Sequence, residues 1–251
     1  MTEILTPQAA LADIPGWEGA NVRELSGGLT NRSYRIEIDG KAAVLKIDDR
    51  PRHVPLSSRH VEARIQRTAA GRGLANSVLF VSDTIYLTEY LDGIVWSLDC
   101  LDDNANLEKL ALALKKVHAL PLTGHTFDAV GAARHYAKHS PDADPDMIRK
   151  CVQTIDTMPR PLNLCCCHND LVVANIINTP KIRFLDWEYA CDNDPFFDIA
   201  TVAAHHRLSP EQRDFLLDAY FDGDGKRWRE QLALQAGFYE ALLWLWEAAR
   251  S

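Results

Sequence analysis

Long apolar runs are absent from this chain. Nowhere do the ~18 consecutive uncharged apolar residues of a membrane-spanning helix occur. The N-terminus, MTEILTPQAALADIPGW, has neither the basic start nor the apolar stretch of a secretory signal. The expectation is a soluble, cytoplasmic protein with no membrane insertion. Positive charge is also in short supply: 27 Lys and Arg stand against 35 Asp and Glu, a net charge of −8, with no basic stripe. Nucleic acid is therefore not an expected partner. The acidic balance suits a cationic substrate, and suits solubility alone equally well.

Cysteine is sparse. Six in 251 residues, with no C-x-x-C, make no disulfide framework. Cys165, Cys166 and Cys167 are consecutive, so on a strand their side chains alternate faces and the three cannot jointly grip one metal. Reduced cysteines packed as small apolar residues are expected. Repeats and low-complexity segments are missing too, and 47% hydrophobic with 25% charged residues leaves no compositional sign of disorder. The length fits one bilobal domain or two closely packed lobes. No pattern sets the oligomeric state.

What is present begins with Thr6-Pro7, an N-cap followed by proline at the first helical position, which predicts a short helix to about Ile14. Alternating stretches at 21–25, 33–38 and 42–47 predict a β-meander. Its first turn is Ser26-Gly27-Gly28-Leu29-Thr30-Asn31, and its second, Asp39-Gly40, is a type I′ hairpin signal. Val61, Ile65 and Ala69, four apart, mark a helix over about 56–71. Two more strand-like runs, 77–81 and 85–90, carry a small β-rich lobe to about Leu91. Beyond it the pattern is helical: Leu107 to Val117, then 144–157. A β-rich stretch over 162–186 follows, then helices over 196–206, 209–220 and 227–248. The segment between Leu120 and Leu162 otherwise has no assignable motif.

The strongest chemical signal is Cys167-His168-Asn169-Asp170-Leu171-Val172-Val173-Ala174-Asn175, an H-x-D with an Asn five positions after the Asp; Asp186 lies eleven beyond that Asn. Phosphoryl transfer needs this set of oxygens. One carboxylate orients the attacking hydroxyl and takes its proton, while a second carboxylate and an amide oxygen hold Mg²⁺ on the phosphates. Asp170 suits the first role, Asn175 and Asp186 the second. Each alone reads as a capping residue in a surface turn. Lys46 ends Ala43-Val44-Leu45-Lys46 on the third strand; in kinases a lysine there contacts the α- and β-phosphates and is held by a glutamate on the next helix. Glu62, sixteen residues on, is the expected partner. The glycine turn matches neither G-x-x-x-x-G-K-[ST] nor G-x-G-x-x-G, but its position lets backbone N–H groups close over phosphates.

Gly27-Gly28-Leu29-Thr30-Asn31, Cys167-His168-Asn169-Asp170, and Asp186-Trp187-Glu188-Tyr189-Ala190 followed by Asp194-Pro195-Phe196-Phe197-Asp198-Ile199-Ala200 together resemble the choline/ethanolamine kinase branch of the aminoglycoside phosphotransferase-like family. The resemblance implies an α+β, protein-kinase-like bilobal fold. A small antiparallel-β lobe with the hinge (1–91) would bind ATP, and a larger, mainly helical lobe (92–251) would carry catalysis and the acceptor. It implies Asp170 as catalytic base, Asn175 and Asp186 as Mg²⁺ ligands, and Gly27, Gly28, Thr30, Asn31, Lys46 and Glu62 around ATP. Glu89 and Leu91 would form the hinge that meets adenine through backbone groups, and His168 and Asp198 would brace the catalytic loop.

The family holds an ammonium in an aromatic, acidic pocket. Tyr239, Trp244 and Trp246 on the last helix, with Glu188, Glu240 and Glu247, are the residues to supply it here. Phe238, Leu242 and Trp246 recur every four residues, which is also the pattern of a plain core helix. The acceptor expected is a small cationic alcohol, choline or ethanolamine first. The alternatives are a thiamine or aminoglycoside kinase, and a catalytically degenerate ATP-binding sensor.

Overall fold

In the computed structural model, which describes residues 5–25, 31–48, 52, 58–161 and 163–250, the first third of the chain is organised by period-two alternation. Helix α1 (Pro7–Ala12) is capped by Thr6, whose side chain accepts from the Ala9 N–H, with Pro7 where a missing N–H costs nothing. Strands β1 (Asn21–Leu25), β2 (Arg32–Ile38) and β3 (Lys41–Ile47) form an antiparallel meander. Asp39 and Gly40 both have positive φ, 49° and 74°, as a type I′ turn demands. Helix α2 (Arg59–Ala70) starts later than its periodicity predicts, because Ser58 in extended conformation accepts from the Val61 N–H and fixes the cap there. Strands β4 (Val78–Val81) and β5 (Ile85–Glu89) complete a five-stranded antiparallel sheet in the order β1-β2-β3-β5-β4.

The sheet's two faces serve different purposes. Ala43, Leu45 and Ile47 of β3 point one way and pack with Leu11, Ile14, Trp17, Ile36 and Leu87 into a core of their own. Leu45, Ile47 and Leu87 are fully buried, worth roughly 1.5–3 kcal/mol each by removal from water. Lys46 therefore projects from the opposite face. There its cross-strand neighbour Tyr86 donates its hydroxyl to Gln66 of α2.

After β5 the chain forms β6 (Ile94–Val95), α3 (Asn104–His118), α4 (Ala129–Lys138) and α5 (Pro145–Asp156). Short strands β7 (Cys165–Cys167), β8 (Ile176–Asn178), β9 (Ile182–Phe184) and β10 (Cys191–Asn193) follow, then α6 (Pro195–His205), α7 (Pro210–Tyr220) and α8 (Arg229–Ala248). Helix α4 falls in the segment that carries no motif. It buries only Ala132, Ala133 and Tyr136, too few apolar positions to announce a helix. The second, larger core joins α3, α5, α6, α7 and α8 with Phe184 and Trp187, and it reaches back to Ile65 and Ala69 of α2. The result is the expected α+β arrangement of an antiparallel-sheet region followed by a helical one. No helix among the described residues is long and apolar enough to cross a membrane.

The segment after the sheet is tied to the helical region by backbone. β6 pairs with β8, which pairs with β9, and the Trp96 N–H donates to Ile176 O. Gly93 permits this approach: a Cβ there would stand 2.4 Å from Asn178 O and 2.6 Å from Thr179 Cγ2. Backbone cannot yield as a flexible side chain does. Gly93→Ala is expected to lower unfolding stability by about 1–3 kcal/mol. Urea denaturation followed by circular dichroism measures this, and an unchanged midpoint would contradict the close packing.

Candidate active site

The loop leaving β7 is shaped by one carboxylate. Asp198, in the first turn of α6 and fully buried, accepts the His168 N–H at 2.9 Å (Oδ2) and the Asn169 N–H at 2.7 Å (Oδ1), while His118 Nε2 lies 3.1 Å from Oδ2. Asn169 adopts φ 64°, and its side chain donates to Tyr189 O and accepts from Asn193 Nδ2. The His168 ring bonds Leu185 O at 2.9 Å and stands edge-on to Trp187, with ring centroids 4.8 Å apart. His168 and Asp198 are thus both bonded within the loop that leads to Asp170.

Asp170 is gripped from the far end of the loop. A 3-10 turn, Val173–Asn175, brings Asn175 back so that its Nδ2 donates both to Asp170 Oδ2 (2.8 Å) and to Asp170 O (2.9 Å). The Leu185 N–H donates to Asn175 O, which ties the turn to the segment carrying Asp186. Asp186 sits at φ 59°, and its Oδ1 is 2.6 Å from Lys46 Nζ. The four residues singled out in the sequence therefore meet in one cleft between the sheet and the helical region.

The electrostatics follow from crowding. Burial, then the charges of Asp186 and Glu188, push the Asp170 carboxyl up to about 7. Burial alone would lower the Lys46 pKa, but Asp186, Glu188 and Glu62 outweigh it and the lysine is held raised. Burial would likewise raise Asp186, yet the charge and hydrogen bond of Lys46 hold it below the usual carboxylate range. Three carboxylates thus face one lysine. The Asn175 amide oxygen has no protein partner among the described residues. An all-oxygen donor set with excess negative charge fits a hard divalent cation such as Mg²⁺.

The expected Lys46–Glu62 pair is not formed. Glu62 is buried and both of its contacts are guanidinium groups, Arg59 Nη1 at 2.8 Å and Arg52 Nη1 at 3.0 Å. Arg59 also grips Asp48 through two bonds, at 2.6 and 2.8 Å. Both guanidinium groups meet Oε2, while Oε1 is buried without a partner among the described residues; two arginine forks outcompete one lysine for this carboxylate, and Lys46 is left to Asp186. Glu188 is drawn into the same network: Arg52 Nη2 lies 3.0 Å from its Oε2, and Asn31 Nδ2 donates to that oxygen at 3.3 Å. Asn31 therefore reaches the cleft, whereas Gly27, Gly28 and Thr30 lie outside the described residues.

Beside Asp170 opens a cavity of about 370 Å³ lined by Asn175, Asp186, Glu188 and an aromatic wall. Tyr239 and Trp246 belong to that wall, as expected; Trp244 does not, and packs against the larger core instead. At 100° per residue, positions 239, 242, 243 and 246 share one face of α8, and 244 points away from it. Glu247 borders the cavity and Glu240 faces solvent. Sequence reasoning missed Phe127, Tyr136, Tyr189, Phe197 and His205, which complete the wall. Tyr189 and Phe197 stand inside the quoted motif blocks, so their signal was available; Tyr136 comes from α4. Arg250 rests 4.7 Å over the Trp246 ring.

At the end of β5, the Glu89 carbonyl accepts from Asn76 Nδ2 and its carboxylate from Ser77 Oγ. The backbone of Leu91 has no hydrogen bond among the described residues. A wider groove of about 750 Å³, lined by Trp17, Arg35, Glu89, Tyr90 and Asp92, contains none of the four cleft residues.

Residues 21–233 match the family described as "Phosphotransferase enzyme family". The chain is 31% identical over 215 residues to Protein LicA of Haemophilus influenzae, a match covering 80% of this chain and 62% of that one. It is 32% identical over 200 residues to the thiamine kinase of Salmonella typhimurium, covering 78% and 69% respectively. The chain thus spans just under two thirds of the length of that LicA protein. Its fold superimposes on a choline/ethanolamine kinase family protein from Mesorhizobium loti with a TM-score of 0.73 at 25% identity, covering 95% of this chain and 83% of that one. It superimposes on the choline kinase LicA of Streptococcus pneumoniae with a TM-score of 0.79 at 20% identity, covering 92% and 85%. The fold is protein-kinase-like.

One further support of the loop titrates. His206 Nε2 bonds Leu171 O at 3.1 Å, and burial lowers the imidazole pKa to about 4. Folding therefore favours the neutral ring; that contribution is complete above the unfolded value near 6.5 and is lost as pH falls toward 4. Between pH 7 and pH 5 the chain should lose about 2 kcal/mol through this group. His206→Gln should be less stable at pH 7 yet lose less over the same interval, as read from urea midpoints at both pH values. Parallel losses would exclude His206 as the source.

Proposed function

The chain belongs to the phosphotransferase enzyme family, and on that footing we propose that it is an ATP- and Mg²⁺-dependent kinase acting on the hydroxyl of a small cationic alcohol, choline or ethanolamine in preference. The observation that carries the reading is the convergence of Lys46, Asp170, Asn175 and Asp186 at the mouth of an aromatic cavity. Asp170 orients the acceptor hydroxyl and takes its proton, a role worth about 10²–10⁴-fold. Asn175 and Asp186 would hold Mg²⁺, which when bound neutralises phosphate charge. Lys46 serves the α- and β-phosphates, and the backbone around Glu89 and Leu91 serves adenine. In this reading residues 1–91 form the nucleotide lobe and 92–251 the catalytic and acceptor lobe. The reaction belongs to the cytoplasm, where Mg-ATP is abundant.

The acceptor reading rests on the wall. Tyr189, Tyr239 and Trp246 line the cavity, and a desolvated cation over an indole gains about 2 kcal/mol. Glu247 borders the same cavity with negative charge. A second reading, thiamine as acceptor, is favoured by the 32% identity to a thiamine kinase. Thiamine is also cationic, so charge alone does not separate the two.

ADP release at fixed Mg-ATP over choline, ethanolamine, thiamine, aminoglycosides and simple sugars tests the assignment. Choline or ethanolamine should give the highest kcat/KM; a thiamine or sugar preference would overturn the acceptor and leave the reaction standing. Asp170→Ala should retain nucleotide binding and lose about 10²–10⁴-fold in turnover. Absence of ADP with every alcohol would favour an ATP sensor instead.

A further inference from the structure

A second cluster of ligand-bearing side chains lies behind the catalytic loop. Alternation along β7 sends Cys166 to one face and Cys165 with Cys167 to the other, where their Sγ atoms lie 3.5 Å apart. From α3, His118 reaches the same spot, and one ring nitrogen and the two sulfurs all lie within 4.8 Å of one another. Among the described residues no other group of His, Cys, Asp and Glu is drawn together in this way. We propose that Cys165, Cys167 and His118 form a binding site for a soft divalent cation of the zinc class.

Three features support the assignment. The sulfur spacing is close to the tetrahedral edge of about 3.8 Å that two thiolates adopt on zinc at ~2.3 Å each. A disulfide would require far closer approach, about 2 Å. Of the two ring nitrogens, Nε2 is held by Asp198 at 3.1 Å, so Nδ1 is assigned as the ligand. A carboxylate on the far nitrogen is the support that metal-binding histidines ordinarily have. Nδ1 now meets the Tyr220 hydroxyl at 2.6 Å, a bond that the ion would replace. Finally, the ligand set is of mixed softness, two sulfurs and an imidazole, which disfavours Mg²⁺ and separates this site from the all-oxygen cleft.

Burial pushes the Cys167 thiol well above its ordinary value, so the thiol protons leave as the ion enters. Cys165 is partly exposed and gives the route in. The bound ion joins β7 to α3 and, through His118, to the carboxylate that positions the catalytic loop. The consequence is stabilisation of the folded chain, independent of whether phosphate is transferred.

The test uses the whole chain with cobalt and zinc ions. One equivalent of Co²⁺ should give thiolate-to-cobalt charge-transfer absorption that Zn²⁺ abolishes. Zn²⁺ at a hundredfold excess over its Kd should raise the thermal midpoint by about 5–10 °C. Cys165→Ser should weaken binding by about 10–100-fold or more and remove the thermal shift. In the unsubstituted chain, Zn²⁺ should slow alkylation of Cys165 while leaving Cys100 unaffected, a readout that does not depend on the variant folding. No charge-transfer band, a thermal shift that persists in Cys165→Ser, or equal protection of Cys100 would overturn the proposal, the last two meaning that zinc binds elsewhere.

Discussion

The candidate site depends on one buried carboxylate that shapes a loop. Asp198 is removed from water, and its charge is tolerable only because two backbone N–H groups and an imidazole surround it. Those bonds dictate the path of residues 168 and 169, hold Asn169 in the left-handed region, and so determine where Asp170 stands. Asn193 and Tyr189 O complete the collar around Asn169. The donors of the collar are in place without a ligand, so the position of Asp170 is set by the fold itself.

The cleft shows a second economy of charge. Asp48, Glu62 and Glu188 share Arg52 and Arg59, whose planar forks bridge more than one carboxylate at once and leave one negative charge over. Asp170, Asp186 and the surplus charge of that network all act on Lys46, and Asp186 captures it. The negative excess extends from the place where a metal–phosphate complex would sit into the network behind it, where Glu62 Oε1 has no partner among the described residues.

Sequence patterns report what repeats locally and what shares a motif. The hairpin at Asp39-Gly40, the alternation that turns Lys46 away from the α1 core, and the set Asp170, Asn175 and Asp186 were all legible for that reason. Helix α4 was not, because alanines bury as readily as leucines in a tight helix contact but leave little trace in hydropathy. The Lys46–Glu62 pairing failed because it depended on competition: the sequence shows that Arg52 and Arg59 exist, not that both converge on Glu62. Trp244 and Trp246 illustrate the limit from the other side. Both are aromatic on one helix, and only the helical angle relative to Tyr239 separates wall from core. Consecutive cysteines alternate faces along β7, and the sequence does not show that His118 of α3 stands beside Cys165 and Cys167.

Helix α2 carries Glu62 against the sheet while its Ile65 and Ala69 are buried in the larger core with α3 and its neighbours. A helix anchored on that side cannot swing outward as a regulatory lever without opening the core that holds it. The same helix is held to the sheet side as well, by Arg59 on Asp48 and by the Tyr86 hydroxyl on Gln66, so α2 is the strut through which the two cores are joined.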